Sequence, residues 1–161
     1  MADAEFAALF ADLAPRLLQH LLYLGAQPAE AEDAVHDAMV SLLTARKGGM
    51  EVHHPKAWAR TVAVRSYFRR QHRETLVSEV PDAAAPISVD AEVAAAVDFR
   101  EALKRLPARQ SDIMRLFVAD YSVSDIADLM GMEPATVRSN LRHARKKLAL
   151  ILSDRSRSMQ A

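Results

Sequence analysis

The chain has 161 residues, of which half are hydrophobic, so it can bury the core of one domain or of two small ones. It contains no cysteine, which excludes disulfides, thiolate catalysis and cysteine-ligated zinc and makes the cytoplasm the simplest location. Its 21 basic and 21 acidic side chains cancel, and no apolar run reaches membrane-spanning length, so composition alone indicates neither a polyanion nor a membrane as partner.

The first part of the chain predicts two helices, and the lack of alternating β-branched runs predicts an all-α protein. The first helix covers about residues 3–24, and its acidic start lacks the basic segment of a signal peptide. Pro15 is expected either to begin the second half of this helix or to kink it. The second helix covers about residues 29–46. Spacing places these side chains inward: Phe6, Leu9, Phe10, Leu13, Leu17, Leu21 and Leu24, then Ala31, Ala34, Val35, Ala38, Met39 and Leu42.

A third helix over about residues 56–72 interleaves cations with aromatic rings. Residues 52–73 carry 6 basic side chains and no acidic one. Rings beside a basic groove suit unstacked bases, because every base has a face that can stack. We therefore interpret this helix as a contact for nucleic acid, although packing of Trp58 in the core explains that ring equally well.

The middle of the chain predicts a linker and then further helices. Residues 74–95 are acidic, rich in small side chains and interrupted by Pro81 and Pro86. Helical spacing resumes over about residues 94–105, and another helix starts at Pro107. Residues 153–161 show no pattern and are expected to be disordered.

Residues 121–148 predict a helix-turn-helix. Ser122 and Asp125 fit a capping box at the start of its first helix, and Gly131 follows where that helix must end. Pro134 suits the first position of the second helix. In that helix five cations and no acid lie between residues 138 and 147. Because a helix that carries arginines fits the major groove, this segment predicts binding to duplex DNA.

The zero net charge conceals alternating blocks along the chain. Residues 1–51 carry 3 basic and 8 acidic side chains, whereas residues 52–73 carry 6 and none. Residues 74–103 carry 1 basic and 7 acidic side chains, and residues 104–161 carry 11 basic and 6 acidic ones. Two basic blocks far apart in sequence indicate two separate contacts with one polyanion. The acidic side chains of the second helix form either an ordinary solvated face or a docking face for a basic protein.

Together these segments resemble the extracytoplasmic-function (ECF) group of bacterial sigma factors. The region 2 resemblance rests on FAALFADLAPRLLQHLLYLG, AEAEDAVHDAMVSLLTAR and PKAWARTVAVRSYFRR, and the region 4 resemblance on ALKRLPARQSDIMRLF and the helix-turn-helix. The resemblance implies two small helical domains: a region 2-like domain at 1–73, a flexible linker at 74–95 and a region 4-like domain at 96–152, before a tail at 153–161. It implies a promoter-specificity subunit, not an enzyme, with no cofactor or metal.

The resemblance also implies partners and site residues. Region 2 of this family docks on the clamp helices of the RNA polymerase β′ subunit and opens the −10 element, whereas region 4 docks on the β flap and reads the −35 element. Core RNA polymerase and promoter DNA are thus the implied partners, and an anti-sigma factor is compatible with the resemblance. The implied contacts with β′ are Glu32, Asp33, His36 and Asp37. The implied contacts with the −10 element are the loop over residues 47–54 and Lys56, Arg60, Arg65, Ser66 and Arg69. The implied contacts with the −35 element are Thr136, Arg138, Ser139, Arg142 and Arg145.

Two other hypotheses remain at this point. A stand-alone helix-turn-helix regulator of the response-regulator output type would explain residues 96–150 but not the basic, aromatic third helix. A helical metal-dependent hydrolase would use Asp33 and His36, which resemble half of a metal-ligand motif, but it would need further ligands on other helices.

Overall fold

A computed structural model of the chain describes residues 3–75 and 91–160, and within them the side chains of residues 3–73 and 98–160. These described ranges form seven α-helices and contain no strand, which confirms the all-α prediction. The helices are α1 (Asp3–Tyr23), α2 (Pro28–Lys47), α3 (Pro55–Thr75), α4 (Ala91–Lys104), α5 (Ala108–Val118), α6 (Val123–Met130) and α7 (Pro134–Gln160). None of them is both long enough and apolar enough to cross a membrane.

The chain divides into two compact units, unit 1 (Met1–Arg73) and unit 2 (Glu74–Ala161). In unit 1, α1 packs against α2, and every residue that spacing placed inward on α2 is buried. On α1 the buried stripe starts at Leu13, and the predicted inward position of Phe10 is wrong, because this side chain is 43% exposed. Helix α1 continues through the exposed Pro15, so this proline does not begin a separate helix.

Helix α3 completes unit 1 through its apolar face. Ala59, Ala63, Val64, Tyr67 and Phe68 recur three or four residues apart and are all buried. The same periodicity leaves the basic side chains of α3 on its other faces, where they contact α1, α2 or solvent. Helix α3 therefore carries its charges on a rigid scaffold.

In unit 2, the three helices α4, α5 and α6 all contact α7. The core contains Val137, Leu141, Ala144, Leu148 and Ile151, which recur three or four residues apart on α7. Ile113 and Leu116 of α5 and Ile126 of α6 are fully buried against them. The long α7 thus organises this unit.

Two predicted boundaries differ from the structure. Residues 76–90 of the predicted linker lie outside the described residues, but residues 91–95 already belong to α4. The predicted disorder of the tail is wrong for residues 153–160, because α7 continues to Gln160. No proline or glycine follows Pro134 to stop this helix, and its serine hydroxyls bond to its own backbone. In addition, Arg155 Nη1 lies 3.0 Å from Asp98 Oδ1, so an exposed ion pair joins the last turns of α7 to α4.

Candidate nucleic-acid and partner interfaces

The helix-turn-helix is built by local hydrogen bonds and one left-handed residue. The Asp125 N–H donates to Ser122 Oγ at 3.0 Å, and the Ser122 N–H donates to Asp125 Oδ2 at 3.1 Å, which confirms the capping box. Gly131 ends α6 with φ 64° and ψ 42°, a conformation that an L side chain rarely adopts. Pro134 is the first residue of α7. The turn therefore has the geometry that its sequence predicts.

Helix α7 separates a buried seam from an exposed basic face. Arg138 and Arg142 are exposed and lie one turn apart, about 6 Å along the axis. Thr136 is exposed and Ser139 is half-buried beside them. Two guanidinium groups one turn apart on a regular helix can reach neighbouring base edges or phosphates of a duplex.

Arg145 lies on the same helix but contacts protein. Its guanidinium carbon is 4.9 Å from the centre of the Phe117 ring of α5, within the range of a cation–π interaction. This contact braces α5 against α7. Sequence spacing does not reveal this contact, because it joins residues of two different helices.

A pocket of about 500 Å³ opens beside α3 in unit 1. The loop after α2 forms one wall and the first three turns of α3 form the other. Trp58 is half-buried in this wall, so it is neither a closed core residue nor a free surface ring. A half-exposed ring beside cations can hold a planar base that has left its stack. The lining residues are Met50, Glu51, Val52, His53, His54, Ala57, Trp58, Thr61, Val62 and Arg65.

The structure distributes the predicted −10 residues over several faces of α3. Arg65 lines the pocket, and Arg60 and Arg69 are exposed. Lys56, at the start of α3, pairs with Asp12 of α1. Ser66 points elsewhere, since its hydroxyl donates to a carboxylate of α2. The pocket therefore gathers part of the predicted set together with loop residues 50–54.

The acidic face of α2 is joined to α3 by a network of polar contacts. Arg70 donates to Asp33 Oδ2 at 3.0 Å and to Asp37 Oδ2 at 2.6 Å, and Ser66 Oγ donates to Asp37 Oδ2 at 2.7 Å. Burial acts to raise the pKa of Asp37, but the hydrogen bonds from Ser66 and Arg70 outweigh it and hold that pKa below its usual value. Asp37 is thus a charged anchor for α3.

The predicted β′ contacts consequently fall into two pairs. Asp33 and Asp37 share the charge of Arg70, whereas Glu32 and His36 are exposed on the outer side of α2. Within the described residues, no group of three or more histidine, aspartate or glutamate side chains could hold a metal ion.

Comparison with known proteins gives consistent matches to both units. The family model of Sigma-70 region 2 matches residues 9–74, and that of Sigma-70, region 4 matches residues 96–148. The ECF RNA polymerase sigma factor SigM of Mycobacterium tuberculosis is 30% identical over 144 residues, which cover 85% of this chain and 72% of SigM. The sigma factor RpoE of Bartonella quintana, crystallised with the anti-sigma factor NepR, matches with a TM-score of 0.59 and 25% identity over 92% of this chain and 97% of its own.

Proposed function

Because the chain belongs to the ECF group of RNA polymerase sigma factors, it is a factor for promoter-specific transcription initiation, and we propose that its two units divide the promoter between them. Unit 1 would bind the unpaired −10 element, and unit 2 would read the −35 element as duplex. The observation that carries this proposal is the difference between the two surfaces. One offers a pocket with a half-exposed ring, and the other offers arginines on a helix-turn-helix.

For the −35 element, Arg138 and Arg142 are our candidates for contacts to base edges. Both are exposed near the start of α7, the second helix of the helix-turn-helix, which is the helix that meets the major groove in this motif. Ser139 and Thr136 lie beside them and suit contacts to bases or to phosphates. Arg145 would act mainly by holding α7 against α5, through the Phe117 ring.

For the −10 element, the pocket beside α3 is our candidate for an unstacked base. Trp58 and Val62 would contact the face of the base, and Arg65 would neutralise a neighbouring phosphate. Lys56, Arg60 and Arg69 would contact the backbone of the strand. Ser66 is better explained as a partner of Asp37 than as a contact with DNA.

For core polymerase, the exposed side of α2 is our candidate for the β′ contact. Glu32 and His36 would contact the clamp helices directly. Asp33 and Asp37 would contribute less negative charge to this contact, because Arg70 pairs with both. Unit 2 would meet the β flap. Binding of an anti-sigma factor, as seen for RpoE, is a further proposal, as is action in the cytoplasm beside the polymerase.

Transcription in vitro with core polymerase on a library of promoters randomised at −10 and −35 tests the proposal. We expect enrichment at both elements, with Arg138→Ala losing selectivity only at −35 and Trp58→Ala only at −10. A stand-alone regulator would instead bind duplex DNA as a dimer without core polymerase. The match of residues 9–74 to region 2 favours the sigma factor, since a helix-turn-helix regulator has no such part.

A further inference from the structure

The carboxylate of Asp12 on α1 lies between two cations, Arg16 of the same helix and Lys56 at the start of α3. Lys56 Nζ lies 2.8 Å from Asp12 Oδ2, and Arg16 Nη2 lies 2.9 Å from Asp12 Oδ1. The hydrogen bond from Lys56 is the largest cause of the lowered pKa of Asp12, so this carboxylate is ionised at neutral pH. The side chains of Lys56 and Arg16 are 61% and 70% exposed, so a ligand can approach both from solvent.

This two-cation site lies at the start of α3, the end of the helix that also lines the pocket. Lys56 lies in sequence between His54 and Ala57, and both of these neighbours line the pocket. One turn further along α3, Arg60 lies near His20 of α1; burial is the main cause of the lowered pKa of His20, and the charge of Arg60 adds to it. The edge between α1 and α3 therefore presents Arg16, Lys56 and Arg60, and Asp12 occupies the gap between the first two.

The contacts of Asp12 are those that a phosphate oxygen also makes. Lysine and arginine bind both carboxylates and phosphates through charge-assisted hydrogen bonds. An exposed ion pair contributes little to stability, so exchanging its anion for another costs the fold little. A strand whose base enters the pocket would bring its own phosphates to this edge.

We propose that Asp12 competes with DNA for Lys56 and Arg16. Its carboxylate occupies the position between these two cations that a phosphate of the single-stranded −10 element would take. Binding of the strand then replaces Asp12 with a phosphodiester at both cations. This inference rests on the proposed role of unit 1 in binding unpaired −10 DNA. It adds that the chain lowers its own affinity for the DNA backbone, which leaves selection of the promoter to the base in the pocket.

The test uses the complex of the full chain with core polymerase and a fluorescent single-stranded oligonucleotide that carries the −10 sequence. A scrambled oligonucleotide is measured in parallel. Asp12→Asn should tighten binding of both at low salt by about threefold to fivefold, the size of one exposed charge contact. Asp3→Asn makes the same change of charge at the start of the same helix and should leave affinity unchanged.

The decisive comparison repeats Asp12→Asn in a Lys56→Gln background. If Asp12 competes for Lys56, most of the gain disappears there, because the site has lost one of its two cations. An equal gain in both backgrounds would reveal a general charge effect and overturn the proposal, as would a gain no larger than that of Asp3→Asn. A larger gain for an acidic peptide than for DNA would assign the site to a protein and overturn it too.

The same data separate this inference from the proposed function. If the parent complex binds the −10 and scrambled oligonucleotides equally, the assignment of unit 1 to the −10 element fails. Dependence of the Asp12→Asn gain on Lys56 would still establish the competitor. If the parent complex prefers the −10 sequence but Asp12→Asn has no effect, the competitor fails and the −10 assignment stands.

Discussion

Asp112 of α5 makes the stability of unit 2 depend on pH. Burial raises its pKa to about 6 from the ordinary 3.8, against the opposing charges of Arg115 and Arg109. The folded state therefore holds this proton more tightly than the unfolded state does. The stabilisation is complete below pH 3.8 and is lost as the pH rises through about 6. A shift of about two pKa units corresponds to at most about 3 kcal/mol in the free energy of unfolding.

The substitution Asp112→Asn removes this ionisation while keeping the size of the side chain. We expect it to raise the free energy of unfolding of unit 2 by up to about 3 kcal/mol at pH 7.5, and to give no such gain near pH 4. Urea unfolding of the full chain, followed through the amide NMR signals of α5 and α7, measures both values. The carboxyl carbon signal of Asp112 reports its titration directly.

Asp128, an exposed carboxylate of α6, provides the matched control. Asp128→Asn makes the same chemical change without removing a buried charge, so its effect should be small and similar at both pH values. A titration midpoint near 4 for Asp112 would refute the argument. So would an Asp112→Asn gain of equal size at pH 4 and pH 7.5, since that gain could not arise from ionisation.

Three further predictions concern the other contacts. Arg138→Ala and Arg142→Ala should each weaken binding to −35-dependent promoters by about 1–3 kcal/mol, while binding to core polymerase stays intact. Lys146→Ala is the control. Unchanged promoter selectivity in both arginine variants would refute the assignment. Arg70→Gln breaks both ion pairs from α3 to α2, so it should lower the free energy of unfolding of unit 1 by about 1 kcal/mol, measured by urea unfolding. Arg70→Lys should recover part of this loss. Equal stability of both variants and the parent would show that these ion pairs do not stabilise unit 1. Gly131→Ala should destabilise unit 2 by about 1–2 kcal/mol through its left-handed backbone alone, since no atom beyond its own and the adjacent residues lies within 4 Å of the added Cβ. Calorimetry measures this change, and an unchanged melting temperature would contradict it.

Local patterns predicted the parts of this structure that local geometry determines. The inward positions of α2 follow from a period of 3.6 residues, and all six are buried. The turn between α6 and α7 follows from Ser122, Gly131 and Pro134, each of which has a conformational preference of its own. These two segments were therefore predicted correctly without knowledge of their neighbours, whereas periodicity alone wrongly extended the buried stripe of α1 to Phe10.

Contacts between distant residues could not be predicted in the same way. Ser66 was matched to DNA by resemblance, but its hydroxyl donates to Asp37, 29 residues away on another helix. Asp12 and Lys56 are 44 residues apart, and nothing in the sequence near either one indicates the other. The rotation of α3 about its own axis decides these pairs, and its large buried rings set that rotation. The predicted disorder of the tail was wrong for a related reason, because Asp98 lies far from Arg155 in sequence.

Helix α7 is long enough that a small tilt at one end displaces the other end noticeably. About 26 Å of continuous helix separates Arg138, near one end, from Arg155, which pairs with Asp98 of α4 near the other. A tilt of about 5° at the Arg155 end moves the Arg138 end by about 2 Å, which is enough to make or break a hydrogen bond. Substitutions in α4 or in the last turns of α7 can therefore re-aim the arginines of unit 2 without touching them. Under the proposed role of Arg138 and Arg142, divergence of these remote positions would give relatives of this chain new promoter preferences while the basic side chains stay the same.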